Sequence, residues 1–235
     1  MACYTGKMNR SSESGNVLFL ILVGVMLFAA LSYTVAQMLR SGNADAIGDQ
    51  QASLYADEIL DYARTLRQTV QSLKISNGCE NEDISFENSV VAGYTNGTNT
   101  SCQVFHADGG ALTFQDAVSN VTSQDWYFSG GTEVIGIGTL CGDENCTEII
   151  AVLPNINIKI CQQINDKMGI DDSVAGDVTD NVNMVSQYTG DLSYQNSRIG
   201  DAAGNLAGKT AGCMTSAGSP TPAGSYAFYQ VLVAR

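Results

Sequence analysis

The chain reads as an α+β protein: a long N-terminal α-helix, membrane-spanning and then amphipathic, carrying a disulfide-stabilised antiparallel β-rich head. Three observations predict this. Residues Ser14–Leu39 contain no charged side chain and enclose the apolar run Val17–Ala36. Beyond that run, Ile47, Tyr55, Ile59, Tyr62, Leu66, Val70 and Leu73 recur at three, four or eight residues, the spacing of one helical stripe. From residue 76 onward, β-branched segments, turn residues and six cysteines replace the helical period.

The apolar run is long enough to matter. At about 1.5 Å per residue, about 20 residues cross the roughly 30 Å hydrocarbon core of a bilayer, whereas the apolar region of a cleaved secretory signal is only about 7–15 residues. The residues before it are short, polar and mildly basic, with Lys7 and Arg10 against Glu13. Basic flanks stay on the cytoplasmic side, so the N-terminus is expected inside and the rest of the chain outside. No proline interrupts Asn16–Ser76, and Gln50, Glu58, Arg64, Arg67, Gln68 and Gln71 between the stripe positions are helix formers. One helix is therefore expected over residues 16–75, with residues 17–36 spanning the membrane and a softer stretch near Ser41–Gly48, where Gly42 and Gly48 each cost about 1 kcal/mol relative to alanine.

The remaining 76–235 suit one domain with its own core. Thr132–Leu140 and Thr147–Leu153, separated by CGDENC, predict a β-hairpin, with Cys141 and Cys146 at facing strand ends within disulfide range. Pro154–Ile170 begins extended, but Ile160, Ile164 and Met168 fall at helical spacing, so a short helix is expected to close before Gly169. Tyr226–Ala234 suits a buried final strand, and Trp126, Tyr127 and Phe128 read as core anchors. Asp171–Gly212 is rich in Gly, Asn, Asp and Ser and reads as an irregular, solvated loop.

Charge and chemistry exclude several classes. A net charge of −13 without any Lys/Arg cluster argues against nucleic acid as a partner and suits a soluble secreted surface. One histidine, no phosphate-binding glycine loop and no C-x-x-C leave no constellation for nucleophilic or metal-assisted catalysis, so an enzyme is not expected. Cys3 lies before the apolar run, and Cys79, Cys102, Cys141, Cys146, Cys161 and Cys213 lie beyond it, an even set in the compartment expected to oxidise it. Three bridges among six cysteines allow 15 connectivities, and the sequence alone does not choose among them. N-x-S/T sequons occur at Asn96, Asn99, Asn120 and Asn145, and carry little weight outside eukaryotes.

A short basic leader ending in Gly15, followed at once by the apolar run from Asn16, resembles the type IV pilins and their pseudopilin relatives. The resemblance covers about 40 residues closely and is architectural thereafter. It implies removal of residues 1–15 by a prepilin peptidase between Gly15 and Asn16. It also implies insertion in the inner membrane as a precursor, and later assembly into an extracellular filament with copies of itself or related pilins. Most pilins carry glutamate at the fifth mature position. Leu20 stands there instead, which points toward a minor, tip-like or divergent subunit and leaves packing in the filament core to small residues such as Gly24, Ala29 and Ala30. Pilins also bracket a C-terminal region with a disulfide, which favours Cys161–Cys213 around the polar loop and, with Cys141–Cys146 across the hairpin, leaves Cys79–Cys102.

Some pseudopilins hold calcium in a C-terminal loop, and Asp171, Asp172, Asp177 and Asp180 carry the right hard oxygens; no EF-hand order is present, and no cofactor is expected. The competing classes are a periplasmic or extracellular binding module on a permanent membrane anchor, and a minor adhesive tip pilin.

Overall fold

The computed structural model describes residues 19–29, 47–116, 118–138, 146–170, 179–180, 186–195, 197–200, 206–216, 218 and 223–235. The chain divides into two units, Met1–Ala46 and Ile47–Arg235. In the first, residues 19–29 are helical (α1) and apolar, and all of them are solvent-exposed, including Leu20 at 63% and Phe28 at 74%.

The second unit opens with α2, Asp49–Ser76. The single helix expected over 16–75 is interrupted at Ile47–Gly48: Gly48 is extended, at φ −69° and ψ 151°, and serves as the N-cap of a new helix. Glycine's freedom outside the helical region makes it a natural place for the break. Among the described residues no helix is both long and apolar enough to cross a membrane. Residues 19–29 are the described part of the span expected at 17–36, and α2 is long but amphipathic.

One face of α2 is buried through Ile59, Tyr62, Leu66, Val70 and Leu73 of the expected stripe, whose Ile47 and Tyr55 are half-buried, joined by Leu60 and by Ala52, Ala56 and Ala63, the alanines each fully buried. The alanines let other elements approach closely. One of these is the helix α3, Ile158–Met168, whose Asn157 caps its N-terminus by accepting a hydrogen bond from the Lys159 amide. Gly169 ends it in the left-handed conformation, at φ 63°. Two ion pairs tie α3 to α2: Lys159 Nζ lies 3.4 Å from Asp49 and Lys167 Nζ 2.9 Å from Asp57. Both pairs span 110 residues, so the helices run parallel and in step.

The sheet is six-stranded and mixed, which corrects the expectation of a purely antiparallel head. Its strands are β1 (Tyr127–Val134), β2 (Glu148–Ile156), β3 (Thr179–Asp180), β4 (Ser197–Ile199), β5 (Ala211–Ser216) and β6 (Tyr226–Val233), in the spatial order β3-β5-β6-β2-β1-β4. The four central strands pair antiparallel, whereas the short edge strands β3 and β4 pair parallel with β5 and β1. The hairpin expected from Thr132 is present as β1 and β2, but β1 starts at Tyr127 and ends at Val134, and its register shifts between Ser129 and Thr132, at Gly130–Gly131. An added Cβ at Gly130 would lie 2.5 Å from the Tyr188 ring and 2.6 Å from the Asp191 carbonyl. The glycine pair thus admits the 186–195 segment against the outer edge of β1, where the Tyr188 and Gln195 amides donate to Phe128 and Gly131.

Side chains alternate along the central strands as a doubly covered sheet requires. Ile149, Ala151, Leu153, Phe228 and Leu232 face α2 and α3. Ile150, Val152, Ala227, Tyr229 and Val231 face a second cluster containing Ile170, Ile199 and Leu206. The solvated loop expected over Asp171–Gly212 is therefore corrected in part: Tyr188, Leu192, Ile199 and Leu206 are buried, and β3 and β4 come from the same stretch. Trp126 and Phe128 are buried; Phe86 stacks on Phe128 at 4.1 Å between ring centres, and Trp126 meets Phe228 edge-on at 6.0 Å.

Candidate functional site

Among the described residues no group of three or more His, Cys, Asp or Glu side chains is placed to hold a metal ion. His106 Nδ1 accepts the Asp108 amide at 3.1 Å and serves its own loop. Asp171, Asp172 and Asp177 lie outside the described residues, and Asp180 is the second residue of β3, paired in register with Ser216. The candidate site is a set of surfaces instead: the apolar helix α1, and the solvent-facing side of α2.

On α1, Leu20 and Gly24 stand one turn apart on a common face with Phe28. An added Cβ at Gly24 meets nothing within 4 Å, so the glycine leaves a notch in an otherwise bulky apolar surface. Ala29 closes the described part of this helix, while Gly15, Asn16 and Ala30 lie outside the described residues. An isolated helix of this kind exposes its apolar side chains to water at about 25 cal/mol per Å² of surface. It requires an apolar surrounding, whether lipid or other helices.

On α2, the side turned away from the core carries Asp57, Glu58, Asp61, Arg64, Arg67 and Gln68. Beside Arg64 and Arg67 runs an open groove of about 570 Å³, also lined by Gln68, Gln71, Ser72 and Ile75. Asp61 pairs with Arg64 at 3.1 Å, both well exposed, and such a pair contributes only a few tenths of a kcal/mol.

Within the second unit, the head is cross-linked covalently. Cys79 is bonded to Cys102 and Cys161 to Cys213, with Cα separations of 5.8 and 5.4 Å, the same two pairs favoured from the sequence. Cys146 is disulfide-bonded as well, while Cys141 lies outside the described residues. The Cys161–Cys213 link is reinforced by a residue that sequence reasoning missed. Asn165, one turn after Cys161, is fully buried; its Nδ2 donates to the Cys213 carbonyl at 3.0 Å and its Oδ1 accepts the Cys213 amide at 2.8 Å. A polar residue four positions after a cysteine, inside an apolar helical stripe, was the available signal.

Two of the sequon asparagines serve the fold, while Asn120 is exposed in a turn and Asn145 lies outside the described residues. Asn96 Nδ2 donates to the Glu82 and Ile84 carbonyls, and Asn99 caps the short 3-10 turn Thr100–Cys102.

A second residue missed is Glu148, at the start of β2. The residue is only 1% exposed, Oε2 accepts the Val134 amide at 2.7 Å, and Oε1 has no hydrogen-bond partner among the described residues. Burial pushes its carboxyl up from 4.5 to about 7; the neighbouring Glu133 adds to the rise, while the Val134 amide and Arg235 oppose it.

Comparison with known protein families, curated proteins and solved structures finds no match to this chain.

Proposed function

We propose that this protein is a structural subunit of a type IV pilus-like extracellular filament, held in the inner membrane as a precursor and assembled through its apolar N-terminal helix. The observation that carries this reading is α1: residues 19–29 form a helix whose every residue is exposed and apolar, in a chain whose second unit is closed by its own core and by disulfides. Such a helix suits two surroundings in succession, lipid before assembly and a bundle of like helices after it. Exchange between them removes no apolar surface from water, so packing and extraction machinery drive the step. The polar leader ending at Gly15 supports the same reading, since it offers a cleavage point directly before the apolar run. Leu20 removes the carboxylate that most pilins bury in the filament core, and with it the cost of a charge pair in an apolar surrounding.

The test is the mass and N-terminal sequence of this chain in filaments sheared from the cell surface. The expected result is a chain beginning at Asn16 and repeating along the filament, with Gly15→Val blocking processing. Recovery of the chain only from membranes, with Met1 intact, would overturn the reading in favour of a permanently anchored binding module. Cleaved chain at filament ends alone would make it a tip subunit.

A further inference from the structure

We infer that α2 carries a two-sided charge pattern that sets how one copy of this chain sits against the next. The inference rests on the filament reading and names the contact within it. The occupant is a second copy, and the argument is charge complementarity along one helix. Glu58 and Asp61 are exposed, and Arg64 and Arg67 follow them on the exposed side of the same helix. Glu58 to Arg64 and Asp61 to Arg67 are the same interval, six residues. Six residues advance about 9 Å along a helix and turn about 120° around it. Glu58 and Arg67 therefore lie on opposite flanks of the exposed side, displaced along the axis, with the Asp61–Arg64 pair between them.

That geometry forbids one arrangement and favours another. Two copies side by side without displacement would leave the acidic flank of one opposite no basic residue at its own level. Two parallel copies displaced by about 9 Å bring Glu58 and Asp61 of the first level with Arg64 and Arg67 of the second, and form two ion pairs at once. The contacting surfaces differ, so the contact is heterologous, and a heterologous contact with an axial step does not close into a ring but continues as a helical filament.

The groove beside Arg64 and Arg67 gives the incoming flank a place to sit, lined also by Gln68, Gln71 and Ile75, the last 82% exposed. In a chain of net charge −13, a groove holding two arginines is a part of the surface that attracts an acidic flank of another copy. Within one chain Glu58 and Arg67 take part in no salt bridge among the described residues, and the Asp61–Arg64 pair is exposed enough to be exchanged.

Cross-linking between single variants tests the displacement. In a Cys3→Ser background, Asp61→Cys and Arg67→Cys chains are co-expressed and treated with a short bismaleimide on whole cells, with mass spectrometry of the linked peptides. The expected product joins position 61 of one chain to position 67 of another, and neither variant alone gives a comparable yield. Filaments that assemble without the 61–67 product overturn the inference and leave the filament reading standing. The product without filaments keeps the contact and removes the filament reading; neither product nor filaments removes both.

A charge exchange guards against misfolding. Arg64→Glu with Arg67→Glu should lower the assembled share about tenfold, the factor that two surface pairs supply. Adding Glu58→Arg and Asp61→Arg should restore it. Failure of the fourfold exchange to restore assembly of a folded head counts against the pairing.

Discussion

Replacing Glu148 with glutamine should make the head more stable at pH 8 than at pH 4.5, measured as the change relative to the unaltered protein. In the unfolded chain this carboxyl gives up its proton near 4.5, whereas burial in the head retains it up to about 7. Between those two values the folded state binds more protons than the unfolded state, so stability falls as pH rises, and above 7 the whole penalty persists. The displacement corresponds to about 3 kcal/mol. That is a large part of the 5–15 kcal/mol typical of a domain. The structure supplies the cause: the residue is 1% exposed, and one oxygen is hydrogen-bonded to the Val134 amide while the other has no partner among the described residues. Glutamine keeps an acceptor for Val134 and cannot ionise, at the cost of a buried amide that contributes a roughly pH-independent loss of about 1–3 kcal/mol. That loss cancels when the effect of the substitution at pH 4.5 is subtracted from its effect at pH 8. The assay is equilibrium denaturation of the full chain in detergent micelles at both pH values, for the protein and for Glu148→Gln. A difference of about 3 kcal/mol in favour of glutamine at pH 8 is expected. Equal effects at the two pH values would refute the reasoning, because they would mean that Glu148 titrates alike in both states.

Three further outcomes follow from the same geometry. Cys161→Ser with Cys213→Ser should cost about 4 kcal/mol by the loop-entropy model for a separation of 52 residues, read as a lowered denaturation midpoint, with the Asn165 bridge too weak to replace the link. Gly130→Ala should lower the thermal midpoint of the head by several degrees, since the new methyl meets the Tyr188 ring at 2.5 Å and a carbonyl at 2.6 Å; an unchanged midpoint would show that the 186–195 segment yields freely. Gly24→Leu should leave head stability unchanged, because Gly24 belongs to the first unit and an added Cβ there meets nothing within 4 Å, while reducing filament yield on electron micrographs; normal filaments would show that close helix approach at this point is not required.

The helix boundaries show why some of this was legible in the chain itself. The stripe from Ile59 to Leu73 predicted a helix through residue 75, and α2 ends at Ser76, because one face of a helix must repeat every three or four residues. Gly169 marked the end of α3, and Tyr226 the start of the last strand, for equally local reasons. At Gly48 the same local reasoning was underweighted: two weak helix formers were read as a soft stretch, and the second is extended. β1 was read too short at its start because Gly130–Gly131 breaks the β-branched pattern; what uses those glycines in a strand is the 186–195 segment, whose Tyr188 ring packs against Gly130 from 58 residues away and whose Gln195 side chain lies against Gly131.

The sequence by itself determined the amphipathic helix through residue 75, the two hairpin strands, the helix that ends before Gly169, the final strand and the apolar helix over residues 19–29, since each depends on periodicity or turn chemistry within a short window; it did not reveal β5, nor choose the pairing that joins β5 to α3 through Cys161–Cys213. Tertiary structure alone decided that the sheet is mixed, that Tyr188, Leu192, Ile199 and Leu206 are core residues in a stretch that reads as polar, and that Asn165 and Glu148 are buried. Those outcomes depend on which distant segment covers a strand edge or a sheet face, and burial is a property of that neighbour rather than of the residue. Glu148 carries the point furthest, for a glutamate at the start of a strand is ordinary until Val134 and the second core cluster close over it.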